Sequence, residues 1–78
     1  MHEFYVQFHS LQDVQDFTAL AYSQEHRMKV GGETFQVNAT SFMGILALNC
    51  RKPQRVTVTC PEEDLQQIKQ NFSRFLAP

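Results

Sequence analysis

Four stretches of the chain alternate apolar with other residues, as half-buried strands do. They cover residues 3–8, 27–30, 34–37 and 55–60, of which the last alternates most regularly. The middle two flank Gly31-Gly32-Glu33. Because glycine readily adopts the positive φ that tight turns require, these two stretches predict a β-hairpin.

Three other stretches have helix-start residues or apolar residues at intervals of three and four. They predict helices over residues 11–23, 41–48 and 62–76. Ser10 begins a Ser-x-x-Asp sequence of the kind that caps helix starts. Either Thr40 or Ser41 can cap the second helix, and Pro61, followed by three acids, suits the start of the third.

The resulting order, β-α-β-β-α-β-α, predicts an α+β fold. We expect an open-faced sandwich, with a four-stranded, mostly antiparallel sheet and three helices on one face, because this buries every apolar stripe at once. Residues 1–78 are expected to form a single domain, since a chain of 78 residues has room for one core. The expected core comprises Ile45, Leu48, Phe4, Val6, Val58, Leu65, Ile68 and Phe72.

Composition limits the classes of function. The chain is 42% hydrophobic and 19% charged, which is typical of a globular protein, and its formal charge of −1 offers no bulk attraction to nucleic acid or to an anionic membrane. No apolar run is long enough to span a membrane, and no signal peptide is recognisable. We therefore expect a cytoplasmic protein without membrane insertion.

Few residues could hold a metal or a cofactor. Cys50 and Cys60 lack CxxC spacing and are expected to be free thiols. Only three scattered histidines could supply further ligands. No P-loop, GxGxxG, HExxH or Ser/His/Asp set is present. We expect no metal and no cofactor, and a carrier or regulator rather than a turnover enzyme.

One segment resembles a known family closely. The stretch Val37-Asn38-Ala39-Thr40-Ser41-Phe42-Met43-Gly44-Ile45-Leu46-Ala47-Leu48 is similar to the third strand and second helix of HPr, the phosphocarrier of the bacterial sugar phosphotransferase system. The element order is also that of HPr, and the acids Glu62-Glu63-Asp64 before the last helix fit the family. The resemblance implies an HPr-like fold. It also implies that Ser41 is a regulatory phosphorylation site, as in Gram-positive members.

The resemblance fails at the first strand-to-helix junction. There the family carries a Gly-x-His-x-Arg-Pro loop, whose histidine accepts a phosphoryl group from phosphoenolpyruvate by way of Enzyme I. This chain has no Gly, Arg or Pro between Phe8 and Asp16, and His9 is the nearest histidine. Asp13 and Asp16 would oppose an incoming anion at the helix start.

Three hypotheses follow. The first is a non-catalytic HPr-like protein that regulates or binds proteins of the phosphotransferase system or of carbon regulation. In the HPr family, part of the second helix is a docking face for partner proteins. In this chain too many residues of that helix are apolar for all of them to be buried. An exposed partner-binding patch of Phe42, Met43 and Leu46 is therefore expected.

The second hypothesis is a working phosphocarrier that accepts the phosphoryl group through His9. The third is a ferredoxin-like module that binds a small molecule or assembles larger complexes. The loop at residues 49–55 holds three of the seven basic residues and could pair with an acidic partner or a phosphate.

Overall fold

The computed structural model describes all 78 residues, and its elements follow the predicted order. The strands are β1 (His2–Val6), β2 (Met28–Gly31), β3 (Gln36–Asn38) and β4 (Gln54–Val58). The helices are α1 (Leu11–Tyr22), α2 (Phe42–Leu46) and α3 (Glu62–Asn71), and a 3-10 turn follows at Ser73–Phe75.

The sheet has the strand order β1-β4-β2-β3, and each of its three strand pairs is antiparallel. This confirms the predicted four-stranded open-faced sandwich. Strands β1 and β2 run parallel with β4 between them, and β3 and β4 run parallel with β2 between them. Both helix connections are therefore split β-α-β units, a feature that this sheet shares with ferredoxin-like folds.

The two faces of the sheet have opposite character because successive side chains on a strand point to opposite sides. One face is fully buried beneath the helices and consists of Phe4, Val6, Met28, Val30, Val56 and Val58. The other face carries Glu3, Tyr5, Lys29, Arg55 and Thr57, all of them exposed or half-buried. The sheet is therefore covered on one side only.

The helices complete the core from the other side. Their buried residues are Val14, Phe17, Ala21, Ile45 and Ile68, joined by Phe72 and Phe75 at the end of the chain. Six of the eight predicted core residues are buried, but Leu48 and Leu65 are only half-buried. Both lie near a helix end, where fewer neighbours cover a side chain. None of the helices is long and apolar enough to cross a membrane.

Two strands are shorter than predicted because pairing, rather than alternation, sets their ends. Strand β4 ends at Val58 instead of residue 60, since Val58 is already opposite the first residues of β1 and β2. Strand β1 ends at Val6 instead of residue 8, where β4 begins. The next backbone amide, that of Gln7, donates to the carbonyl of Phe75 at 2.8 Å.

The hairpin forms as predicted, but with a longer connection. Gly31 has a φ of 138°, and a Cβ there would lie 2.3 Å from the carbonyl oxygen of Phe35. Only glycine fits such a position. Thr34 and Phe35 belong to the loop rather than to a strand, and Phe35 is 56% exposed.

The last helix ends at Asn71, five residues before the predicted end. Phe72 and Phe75 are both buried and lie three residues apart. A 3-10 turn brings residues at that interval to one side. Leu76 is then extended and pairs with Val6, so the chain returns to the open edge of β1.

The burial of α2 residues predicts how two alanine substitutions differ. Ile45 is fully buried, whereas Met43 is 73% exposed. Ile45→Ala should lower the free energy of unfolding by about 2–5 kcal/mol. Met43→Ala should change it by less than about 0.5 kcal/mol. Urea unfolding followed by circular dichroism measures both, and equal losses would show that Met43 is also a core residue.

Candidate functional site

The start of α1 is capped by side chains from neighbouring positions in the sequence. Ser10 is extended, and its Oγ accepts a hydrogen bond from the amide of Asp13 at 3.1 Å, so the predicted cap is confirmed. In return, Oδ2 of Asp13 accepts a hydrogen bond from the amide of His9 at 2.9 Å. These two N–H groups would be natural donors to a phosphate at this helix start. Both are already bonded within the protein.

Asp13 and Asp16 also share a cation from the other end of the chain. Arg74 in the 3-10 turn places Nη2 2.8 Å from Asp13 Oδ1 and Nη1 3.2 Å from Asp16 Oδ2. Its guanidinium lies 4.7 Å from the centre of the Phe75 ring. Two carboxylates facing one guanidinium leave a net negative charge at the helix start. Sequence reasoning missed Arg74, because no local pattern indicates a contact across 61 positions.

The side chain of His9 lines a pocket that does not include the two aspartates. It is exposed and lines an open pocket of about 450 Å³ between the start of α1 and the loop after α2, together with Ser10, Leu11, Leu46 and Arg51. The structure thus brings a histidine and an arginine to one pocket, although 42 positions separate them in the sequence.

The loop that carries Arg51 is anchored to the end of β1. The side-chain amide of Gln7 donates to the backbone carbonyls of Cys50 and Arg51 at 3.2 and 3.4 Å. Asn49 Oδ1 accepts from the amide of Arg51 at 3.2 Å. These bonds determine the course of the loop beside His9.

Cys50 lines the same pocket but is a poor nucleophile. Burial raises the pKa of its thiol above the ordinary value, because the thiolate would lose solvation. Its Sγ lies 3.4 Å from the carbonyl of Ile45, a weak hydrogen bond. The thiol therefore stays protonated at neutral pH. Cys50 and Cys60 are both free, as predicted.

Ser41 begins α2 as its cap. Its backbone is extended, and its Oγ accepts from the amide of Gly44 at 3.1 Å, which decides between the two predicted caps in favour of Ser41 over Thr40. A Cβ at Gly44 would lie 2.8 Å from Ser41 Oγ and 3.0 Å from Val37 Cβ. Glycine therefore lets α2 pack directly on β3. The Ser41 side chain is half-buried.

The three residues of the expected partner-binding patch differ in exposure. Met43 is 73% exposed, while Phe42 and Leu46 are half-buried against the core. Leu11, which the sequence analysis did not single out, is 62% exposed and lines the His9 pocket with Leu46. Its position three residues before Val14 resembles a core position, so only the structure reveals its exposure.

No three or more His, Cys, Asp or Glu side chains lie close enough together to hold a metal ion.

Comparisons with known proteins agree on one family. Residues 14–77 match the family model described as the PTS HPr component phosphorylation site. A search of curated proteins gives no match.

Two solved structures are similar in fold. One is HPr-C-His from Thermoanaerobacter tengcongensis, with a TM-score of 0.72 and 18% identity over 95% of this chain and 89% of that one. The other is a histidine-containing phosphocarrier protein from Mycoplasma, with a TM-score of 0.65 and 14% identity over 99% and 98% of the two chains.

The capping geometry predicts that Ser41→Asp is tolerated. Aspartate caps as well as serine does, and its charge complements the helix dipole by about 0.3–1 kcal/mol. The free energy of unfolding should therefore stay within about 1 kcal/mol of the parent value, whereas Ser41→Ala should lose about 1 kcal/mol with the cap. Urea unfolding compares the variants. A greater loss with aspartate than with alanine would show that the half-buried site has no room for an anion.

Proposed function

Because this chain belongs to the PTS HPr family, we propose that it is a regulatory or interaction member of the bacterial sugar phosphotransferase system rather than a phosphocarrier. The observation that carries the proposal is that the start of α1 is capped by side chains and carries two carboxylates. Ser10 and Asp13 accept hydrogen bonds from two of the amides at this start, and two carboxylates face a single arginine there. A phosphoryl group would meet fewer free donors and an excess of negative charge.

The extent of the family match supports the same view. The matched segment begins at Val14, after His9 and Ser10. It includes α2 with its capping serine and exposed methionine. The match therefore includes the proposed regulatory and docking element and leaves out His9.

In this proposal α2 is the functional element. Ser41 is the regulatory phosphorylation site, where a phosphate would gain from the helix dipole. Met43 is the main contact for a partner, with the half-buried Phe42 and Leu46 beside it. Methionine suits such a contact because its side chain is flexible and polarisable. The partners would be phosphotransferase-system proteins or a carbon-regulation protein in the bacterial cytoplasm, and no nucleic acid or cofactor is involved.

A second candidate function is phosphoryl transfer through His9. One observation favours it: His9 is exposed and shares a pocket with Arg51. Arginine can bind phosphate oxygens through two parallel hydrogen bonds and would neutralise a phosphohistidine. In this case the cation would come from the loop after α2 rather than from the junction itself.

Labelling by Enzyme I distinguishes the two functions. With Enzyme I and labelled phosphoenolpyruvate, the protein should acquire no acid-labile label, because two carboxylates at the start of α1 oppose the phosphoryl group and two of the amides there are already bonded. A family member with the usual histidine loop, run in the same reaction, is the positive control. Acid-labile label that disappears in His9→Ala would overturn the regulatory proposal. Loss of that label in Arg51→Gln would further identify the loop arginine as its counterion.

The docking role of α2 predicts a loss of binding without a loss of stability. Met43→Ala should weaken binding to Enzyme I or to a sugar-specific enzyme of the same system by roughly tenfold, since a few apolar anchors dominate such interfaces. Tyr22→Ala is the matched control, because Tyr22 is another large side chain, 82% exposed, at the end of α1. Isothermal titration calorimetry measures both. Equal affinities for Met43→Ala and the parent protein would remove the docking role.

A further inference from the structure

The uncovered face of the sheet carries a row of polar side chains that the proposed function does not use. The strand register places Glu3 of β1 opposite Thr57 of β4, Thr57 opposite Lys29 of β2, and Lys29 opposite Asn38 of β3. These four side chains therefore form one line across all four strands, on the side away from the helices.

Two arginines adjoin this row. Arg27 lies two residues before Lys29, and Arg55 lies two residues before Thr57, so both are on the same face. With Lys29 they supply three of the seven basic residues of the chain, against the single carboxylate of Glu3. These residues line an open pocket of about 460 Å³. The face is thus positively charged although the whole chain has a formal charge of −1.

Much of this positive charge has no partner in the protein. Arg27 and Lys29 form no ion pair, and their side chains make no hydrogen bond. Arg55 Nη1 lies 3.3 Å from Glu3 Oε2, while its Nε is buried and donates to nothing. Glu3 therefore satisfies only part of one of the three cations.

The pocket also offers neutral hydrogen-bonding groups. Val30 pairs with Val56, so Gly31 is the neighbour of Arg55 in the register, and the carbonyl of Phe35 occupies the place that a side chain on Gly31 would take. On the far side, Gly31 is opposite Gln36. Thr57, Asn38 and Gln36 make no side-chain hydrogen bond within the protein, so a hydroxyl and two amides remain available to a ligand.

We propose that this open face binds a small phosphate-bearing ligand that also carries hydroxyl or carbonyl groups. Arg55, Arg27 and Lys29 would hold the phosphate, since guanidinium and ammonium groups form charge-assisted bonds to its oxygens. Thr57, Asn38 and Gln36 would hold the neutral groups. A pocket of about 460 Å³ is within the range of small-molecule sites. A single-stranded nucleic acid would need several aromatic rings for base stacking, and Tyr5 is the one ring that this face of the strands supplies.

The test is an NMR titration of the folded protein with inorganic pyrophosphate and with glucose 6-phosphate. Saturable amide shifts should appear at Lys29, Asn38 and Thr57. The double variant R27Q/K29Q should bind at least one probe about tenfold more weakly. K52Q/K69Q is the matched control, because it removes the same two charges from residues outside this pocket and should leave the affinity unchanged. Glu3→Gln should strengthen binding by removing the only carboxylate.

Several outcomes would overturn the proposal. One is failure of both probes to saturate below about 10 mM. Another is an equal loss of affinity in K52Q/K69Q and R27Q/K29Q, which would indicate attraction to charge anywhere on the surface. A third is that the shifts appear instead around His9 and Arg51. Another outcome is that a single-stranded oligonucleotide binds this face and neither small probe displaces it. That result would identify a nucleic-acid site instead. None of these measurements involves Enzyme I, so they are independent of the regulatory proposal.

Discussion

The packing of Phe17 joins three segments that are distant in the sequence, and the geometry of the candidate site depends on it. Its ring lies 5.1 Å from that of Phe8 after β1, 5.2 Å from that of Phe72, and 5.5 Å from that of Phe75. Such aromatic contacts have preferred orientations as well as a large buried area. They hold the end of the chain against β1 and α1. Arg74, next to Phe75 in the chain, consequently lies at the start of α1 and forms an ion pair with Asp13.

Helix α2 combines a buried anchor with an exposed face because it is short and packs closely. Gly44 removes the side chain that would otherwise hold the helix away from Val37 on β3. Ile45 then reaches the core, while Met43 points outward. The helix thus contributes one fully buried residue to the core, packs Phe42 and Leu46 partly against it, and leaves Met43 exposed. Its cap, Ser41, precedes the exposed Met43 by two residues, so a charge added to Ser41 would change the electrostatic surroundings of Met43.

The charges of the molecule are separated by the layers of the fold. The first turns of α1 and α3 carry four of the eight acids, which are favoured there by the helix dipoles. The open face of the sheet carries Arg27, Lys29 and Arg55 with one acid. The formal charge of −1 therefore combines acidic helix starts with a basic sheet face. The acidic start of α1 lies where a phosphoryl group is expected from the family, and the basic face lies where the fold leaves the sheet uncovered.

Local patterns in the sequence were sufficient for the element order, the sandwich and the Ser10 cap, because periodicity and capping act over three or four residues. The closeness of the Ser41 segment to the family likewise required no structure. Strand ends at Val6 and Val58 depended on their partners, and the early end of α3 depended on burying both Phe72 and Phe75. Only the tertiary structure brought Arg74 to Asp13, Arg51 to the pocket of His9, and Lys29 into line with Thr57. These contacts join residues that are distant along the chain, and the packing of the sheet and helices, rather than any local preference, decides which of them meet.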